Sequence, residues 1–238
     1  MANNYFKFKK FVVYQQYAAM KVCTDSCLFG AWVAQRLKKI NALTILDLGA
    51  GTGLLSLMLA QKSTAKIFAI EMEKGALADV KRNFQLSLWE ERLHLIQHDA
   101  RNLILPEPVD FIICNPPFYD RALPSETESR NIAVHSSTLS FQEVAETVRR
   151  LLAPSGHAAV MTPFFRENEL ITLMLMHSIY PIEICRVRQT THHNFFRSFI
   201  LFSREAGELK TFELSIHTAQ HSYTAEFSSL LKDYYLNL

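Results

Sequence analysis

Two kinds of hydrophobic patterning alternate along the chain. Short apolar runs at Thr44–Leu48, Lys66–Glu71, Arg92–Gln97, Val109–Cys114 and His157–Thr162 have the length of buried strands. Between them lie segments with apolar residues every three or four positions. Leu54–Gln61 predicts a helix, and so does Lys74 to about Leu88, with Leu77, Val80 and Phe84 on one side. Ser140-Phe141-Gln142-Glu143 is a capping box. It opens a helix with Phe141, Val144, Val148, Leu151 and Leu152 on its apolar side, ended by Pro154-Ser155-Gly156. Glu167–His177 reads as a helix, and Ile182–Gln189 with Phe195–Ser203 as a last, antiparallel pair of strands. Near the start, Phe6-Lys7-Phe8-Lys9 has the period of a strand or hairpin arm. Thr24-Asp25-Ser26 offers N-caps to a helix over Cys27–Leu37 that is apolar nearly all round and hence buried. Repeated strand and helix predict a doubly wound α/β sheet.

The 238 residues suit one domain. We expect residues 1–40 to be an arm and helix packed on a core of 41–238. Roughly twenty residues from Asp120 to Leu139 show no periodicity, and a loop that long is usually functional or disordered. The net charge of +2 neither demands nor excludes a nucleic acid. Its distribution says more: the first 24 residues hold Lys7, Lys9, Lys10 and Lys21 and no acid, and the stretch from Glu205 onward is acidic. Four cysteines (Cys23, Cys27, Cys114, Cys185) show no metal-ligand pairing, so reduced thiols and no metal are expected. No apolar run reaches the roughly 18 residues of a membrane span, and no signal peptide is evident. The expectation is a soluble, cytoplasmic, monomeric protein with no membrane partner.

Val109–Cys114 runs directly into Asn115-Pro116-Pro117-Phe118-Tyr119. Neither proline can donate a ladder hydrogen bond, so the strand must stop there. An amide, rigid backbone carbonyls and aromatic rings then meet at the carboxyl end of a strand, where open α/β sheets bind ligands. The Asn115 side-chain oxygen and the Pro116 carbonyl suit the two N–H bonds of a planar amine, with Phe118 stacked on its ring and Tyr119 as a further wall.

A second turn explains what is done to such an amine. Asp47-Leu48-Gly49-Ala50-Gly51-Thr52-Gly53 links a strand to a helix. Its glycines let a ligand approach the backbone. Asp47 within the turn repels phosphate and suits an ammonium or sulfonium. Glu71 ends the next strand, where ribose hydroxyls bind, with Glu73 as the alternative. Asp99 follows the third strand. Acids at three successive strand ends describe a pocket for S-adenosylmethionine.

With these residues the chain resembles the class I S-adenosylmethionine-dependent methyltransferases that methylate amino groups. Phe6-Lys7-Phe8-Lys9, Met20-Lys21-Val22-Cys23-Thr24-Asp25, Leu28-Phe29-Gly30-Ala31-Trp32 and Tyr234-Tyr235-Leu236 are similar to the flanking signatures of the bacterial tRNA (adenine-N6)-methyltransferases. The resemblance runs nearly end to end. It implies a Rossmann-like, mostly parallel seven-stranded sheet with an antiparallel last strand. It also implies methylation of the adenine next to the anticodon of a valine tRNA, and places Thr24 and Asp25 beside the cofactor. Cys23 stands where a glycine is expected, and Phe118 where tyrosine is common. The amide turn by itself leaves open guanine N2 of rRNA, a protein glutamine amide, or a non-catalytic RNA-binding module on this fold.

Other features point less directly. Lys7, Lys9 and Lys10 suit RNA phosphates or a solvated edge strand. Arg121 and Arg130 flank the loop after the amide turn and suit a substrate clamp or a plain surface. Arg186, Arg188 and Arg197 make the last strands basic, and His192-His193-Asn194 reads as a polar hairpin turn.

Overall fold

A computed structural model of the chain describes residues 3–116 and 139–238. Pro117, Phe118, Tyr119, Arg121, Arg130 and the expected loop up to residue 138 lie outside the described residues. A hairpin of β1 (Tyr5–Lys7) and β2 (Val12–Tyr14) leads to helix α1 (Thr24–Ile40). Then come β3 (Thr44–Leu48), α2 (Leu54–Ala60), β4 (Lys66–Glu71), α3 (Lys74–Gln85), β5 (Leu93–Gln97) and β6 (Val109–Cys114). The second half contains α4 (Phe141–Leu151), β7 (Leu152–Pro163), α5 (Glu167–Met176), β8 (Tyr180–Arg188), β9 (Phe195–Ser203), β10 (Lys210–Ser215) and α6 (Ala225–Leu231).

The main sheet has the order β10-β8-β9-β7-β6-β3-β4-β5. Strands β3 to β9 form the expected seven, and β9 runs antiparallel to both of its neighbours. Strand β10 adds an eighth, parallel to β8. Its sequence hid it: only Leu214 is buried, so it lacks the apolar run of an inner strand. Inner strands bury both faces, and their side chains alternate between two cores. Ile45, Ile67, Phe111 and Ile113 pack with α1, α2, α3 and α6. Leu46, Ile70, Ile112 and Cys114 pack with α4 and α5.

Two expected boundaries change. Helix α1 starts at Thr24, with Cys23 as its N-cap and no side-chain cap bond. Cys23 has φ −133°, extended backbone open to any residue, so the missing glycine has no conformational cost there. Pro154-Ser155-Gly156 lies inside β7, where the register against β6 shifts between Val109 and Phe111. A bulge absorbs it. The capping box at Ser140 and Glu143 is present, with both reciprocal bonds.

The arm is tied down at both ends. Phe8 stacks on Phe11 at 4.5 Å, and Phe6 and Phe8 meet Tyr235 at 5.8 and 6.1 Å. Burying Phe8 contributes about 2 kcal/mol. Tyr234 is buried and donates to the Met58 carbonyl at 2.9 Å, while Lys9 N donates to the Tyr234 carbonyl at 2.8 Å. Beyond β2, the buried Asp79 carboxylate of α3 accepts from the backbone N–H groups of Gln16, Tyr17 and Ala18. The Lys21 ammonium donates to the carbonyls of Gln15 and Ala18. A carboxylate holding the donors and an ammonium holding the acceptors give residues 15–21 a fixed path.

Candidate active site

Chain order reverses between β3 and β6. From β3 the chain moves to β4 and β5 on one side; β6 and β7 lie on the other. The carboxyl ends of β3 and β6 therefore flank a switch point, where open sheets bind ligands. Leu48 pairs with both Ile70 and Cys114, and Glu71 pairs with Gln97. The next residues, Gly49, Glu71 and Asn115, thus stand level along the rim. Asp47 lies two residues below the rim and Asp99 two residues beyond Gln97.

The glycine turn is a cradle. Gly49, Gly51 and Gly53 have φ of 72°, 57° and 78°, the left-handed region that favours glycine. They differ in surroundings. A Cβ on Gly49 or Gly51 would meet nothing within 4 Å, whereas one on Gly53 would lie 2.6 Å from Phe84 and 2.8 Å from Val80. The first two face open space and the third lets α2 pack on α3. Asn83 holds the turn from behind, donating to the carbonyls of Thr52 and Tyr14 and accepting from Tyr14 N.

The acids divide by what already engages them. Glu71 accepts from Gly51 N on Oε2 at 2.7 Å and from Met72 N and Glu73 N on Oε1, both at 2.8 Å. Oε2 keeps a lone pair for a hydroxyl. Glu73 is used as the N-cap of α3, accepting from Gly75 N and Ala76 N. Asp47 is buried; its Oδ2 accepts from the Ser56 hydroxyl at 2.7 Å and Ser56 N at 3.1 Å. Its Oδ1 is buried without a partner. Burial, helped by the nearby Glu71 charge and opposed by Ser56, pushes the Asp47 carboxyl up to about 6.

Other expected residues are engaged elsewhere. Asp99 is gripped by the Arg101 guanidinium at 2.6 to 2.9 Å, which lowers its pKa. Thr24 is exposed at the first position of α1. Asp25 accepts from Arg197 Nε of β9 at 2.8 Å, so its charge is paired with a strand on which α1 packs. Lys9 donates to the Lys232 carbonyl at 2.6 Å, while Lys7 and Lys10 are exposed. Arg186 pairs with Glu167 and Arg188 with Glu213, so these charges also have partners. His193 closes the β8–β9 turn with Thr190.

Asn115 sits beside the cradle. Its Nδ2 donates to Ser26 Oγ at 3.1 Å and lies 3.8 Å from Met20 Sδ. Its Oδ1 is buried and has no partner. A buried acceptor left empty is costly, so its occupant is expected to be a ligand. Pro116 is buried next to it. Sequence reading missed Ser26, Met20 and Ser56 as partners of the site. The signature Met20–Asp25 marked the neighbourhood, but no local pattern ties α1 to a strand end 89 residues later.

Comparison with known proteins names the arrangement. The family model of the methyltransferase small domain matches residues 29–156. A tRNA1(Val) (adenine(37)-N6)-methyltransferase of Flavobacterium psychrophilum is 38% identical over 237 residues, covering 98% of this chain and 100% of that protein. This chain belongs to the tRNA1(Val) (adenine(37)-N6)-methyltransferase family. The class I fold is shared with solved structures. An Agrobacterium tumefaciens protein predicted to be an O-methyltransferase has a TM-score of 0.67 at 17% identity, over 90% of this chain and 99% of that one. Magnesium protoporphyrin IX methyltransferase from Synechocystis, with bound S-adenosylmethionine, has a TM-score of 0.54 at 14% identity, over 76% of this chain and 79% of that one. In this member of the tRNA1(Val) methyltransferase family, the open glycines, the unpartnered Asp47 oxygen and the spare Glu71 lone pair fit that cofactor's backbone, cation and ribose. Among the described residues no helix is long and apolar enough to cross a membrane.

Proposed function

We propose that this chain transfers a methyl group from S-adenosylmethionine to the exocyclic N6 of an adenine in tRNA, at the position next to the anticodon of a valine tRNA. One observation carries the reading: the Asn115 side-chain oxygen is a buried, unpartnered acceptor beside the cradle. S-adenosylmethionine supplies a methyl group already activated on a sulfonium. Gly49, Gly51, Asp47 and Glu71 hold it. An adenine amine is a poor nucleophile because its lone pair is delocalised into the ring. Asn115 Oδ1 and the Pro116 carbonyl accept its two N–H bonds, which favours a more pyramidal nitrogen with its lone pair along one line. Phe118 and Tyr119 are proposed as the walls that hold the ring. No strong general base is required, because the nitrogen loses its proton readily once it carries the methyl group.

The target base must be splayed from its loop to reach this turn. The side of the sheet away from the cofactor acids suits the RNA. There the turn after β7 carries Phe165, 72% exposed, and β9 opens with Phe195 and Phe196. Aromatic rings near arginines favour unpaired bases. Arg121, Arg130, Lys7 and Lys10 are proposed as phosphate contacts. The compartment proposed is the cytoplasm, and the working form a monomer without metal. Full-length relatives named for tRNA adenine do not favour guanine N2 or a glutamine amide as the acceptor.

The test is incubation with methyl-labelled cofactor and total RNA from a strain lacking the protein, followed by mass analysis of nucleosides and fragments. N6-methyladenosine beside the anticodon of a valine tRNA is expected. Label in protein only, or no N6-methyladenosine above control, would overturn the reading.

A further inference from the structure

We propose that Ser26 is a positioning residue for methyl transfer: its hydroxyl holds the Asn115 amide in the one orientation that presents Oδ1 to the target amine. The inference rests on the reading of Asn115 above. An asparagine amide can sit in either of two orientations, differing by a half-turn, and only one offers the oxygen. Two neighbours select it here. A serine hydroxyl both donates and accepts; with its proton directed at Cys23 Sγ, 3.0 Å away, Ser26 Oγ is left to accept from Nδ2 at 3.1 Å. Met20 Sδ, a thioether with no proton to give, lies 3.8 Å from the same nitrogen. The reversed amide would set Oδ1 against that sulfur, acceptor facing acceptor.

Ser26 is itself held firmly. It is 4% exposed and belongs to the first turn of α1, between the buried Cys27–Phe29 run and Cys23, whose Sγ lies 3.0 Å from Ser26 Oγ. Its N–H donates to Asp25 Oδ1 at 3.0 Å, and the other Asp25 oxygen accepts from Arg197 of β9. The start of α1 is thus pinned to β9 on one side and reaches β6 on the other. Through Ser26, a helix outside the sheet sets the direction of a side chain at a strand end.

The test combines a double-mutant cycle with a direct view of the amide. In single-turnover methylation of tRNA, Ser26→Ala is expected to slow the step roughly 10- to 100-fold. The Kd for S-adenosylhomocysteine and the KM for tRNA should stay within about twofold, and Ser26→Thr, which keeps the hydroxyl, should restore most of the rate. In an Asn115→Ala background, Ser26→Ala should add less than about twofold, because the group it orients is gone. The Asn115 side-chain NH₂ resonances, identified by their loss in Asn115→Ala, should exchange with solvent about tenfold faster in Ser26→Ala. Full turnover by Ser26→Ala while Asn115→Ala is inactive would overturn this inference alone. So would equal losses in both backgrounds, or unchanged amide exchange. Full turnover by Asn115→Ala would instead overturn the proposed function.

Discussion

Two glycines of one turn are expected to fail in opposite ways. Gly51 and Gly53 both have left-handed backbone, so alanine at either position costs about 1 kcal/mol of strain. At Gly51 nothing lies within 4 Å of the added methyl, so strain is the whole stability cost. For a domain of this size, Gly51→Ala should lower Tm by roughly 2–4 °C. At Gly53 the methyl meets Phe84 at 2.6 Å and Val80 at 2.8 Å. Overpacking a buried contact costs a further 2 kcal/mol or about that, so Gly53→Ala should lose about 3 kcal/mol and roughly 6–12 °C. Binding should rank the other way. The Gly51 methyl projects into the open cradle, and a misfit of about 2 kcal/mol there weakens S-adenosylhomocysteine roughly 30-fold. Gly53→Ala, measured below its Tm, should change affinity less. Thermal melts give the first quantity and titration calorimetry the second. If Gly51→Ala binds like the wild type, or loses as much stability as Gly53→Ala, the division into a ligand glycine and a packing glycine is wrong.

Other perturbations test neighbouring parts of the structure. The Asp47 carboxyl is raised to about 6 by burial, above an unfolded value near 4, so the folded state binds its proton more tightly. Its contribution is favourable below about pH 4 and is lost as pH rises through about 6, a change of about 3 kcal/mol between wild type and Asp47→Asn in denaturant melts. A flat difference over that window would refute the burial account. With Asp47 needed as the anion, S-adenosylhomocysteine affinity should fall about tenfold per pH unit below 6, with no such slope in Asp47→Asn. Asp79→Ala leaves three backbone donors, at Gln16, Tyr17 and Ala18, without their acceptor. It should cost about 3 kcal/mol and speed tryptic cleavage after Lys21; an unchanged cleavage rate would show that the carboxylate does not hold this segment. Phe165→Ala should raise the KM for tRNA roughly 5- to 20-fold at constant kcat, as loss of one stacked base predicts. An unchanged KM would place the RNA elsewhere.

Much of the site could be read locally. Thr44 to Leu54 contains strand, left-handed turn and helix start in one unbroken stretch, and each step is dictated by residues a few positions away. The same holds for Val109 to Pro116, where an apolar strand meets proline. Glu71 was placed by counting one strand onward. Asp99 shows the limit of such counting, and Asp25 the limit of placement by resemblance. Each sits where a cofactor ligand was expected, yet each carboxylate is held by an arginine, Arg197 or Arg101. Sequence marks where a charge falls along the chain, not which neighbour reaches it first.

By itself, then, the sequence determined the inner strands, the cradle, the strand end at Asn115 and the family, because each depends on periodicity, on backbone freedom or on a contiguous motif. Tertiary structure decided the rest. Strand β10 finds its place only because β8 offers it an edge. Gly51 and Gly53 look alike until Phe84 and Val80 close over one of them. The Asn115 amide has two orientations of equal covalent energy, and a serine 89 residues away chooses between them. Contacts of that range follow from the order of strands in the sheet, which no local pattern of hydrophobic and polar residues encodes.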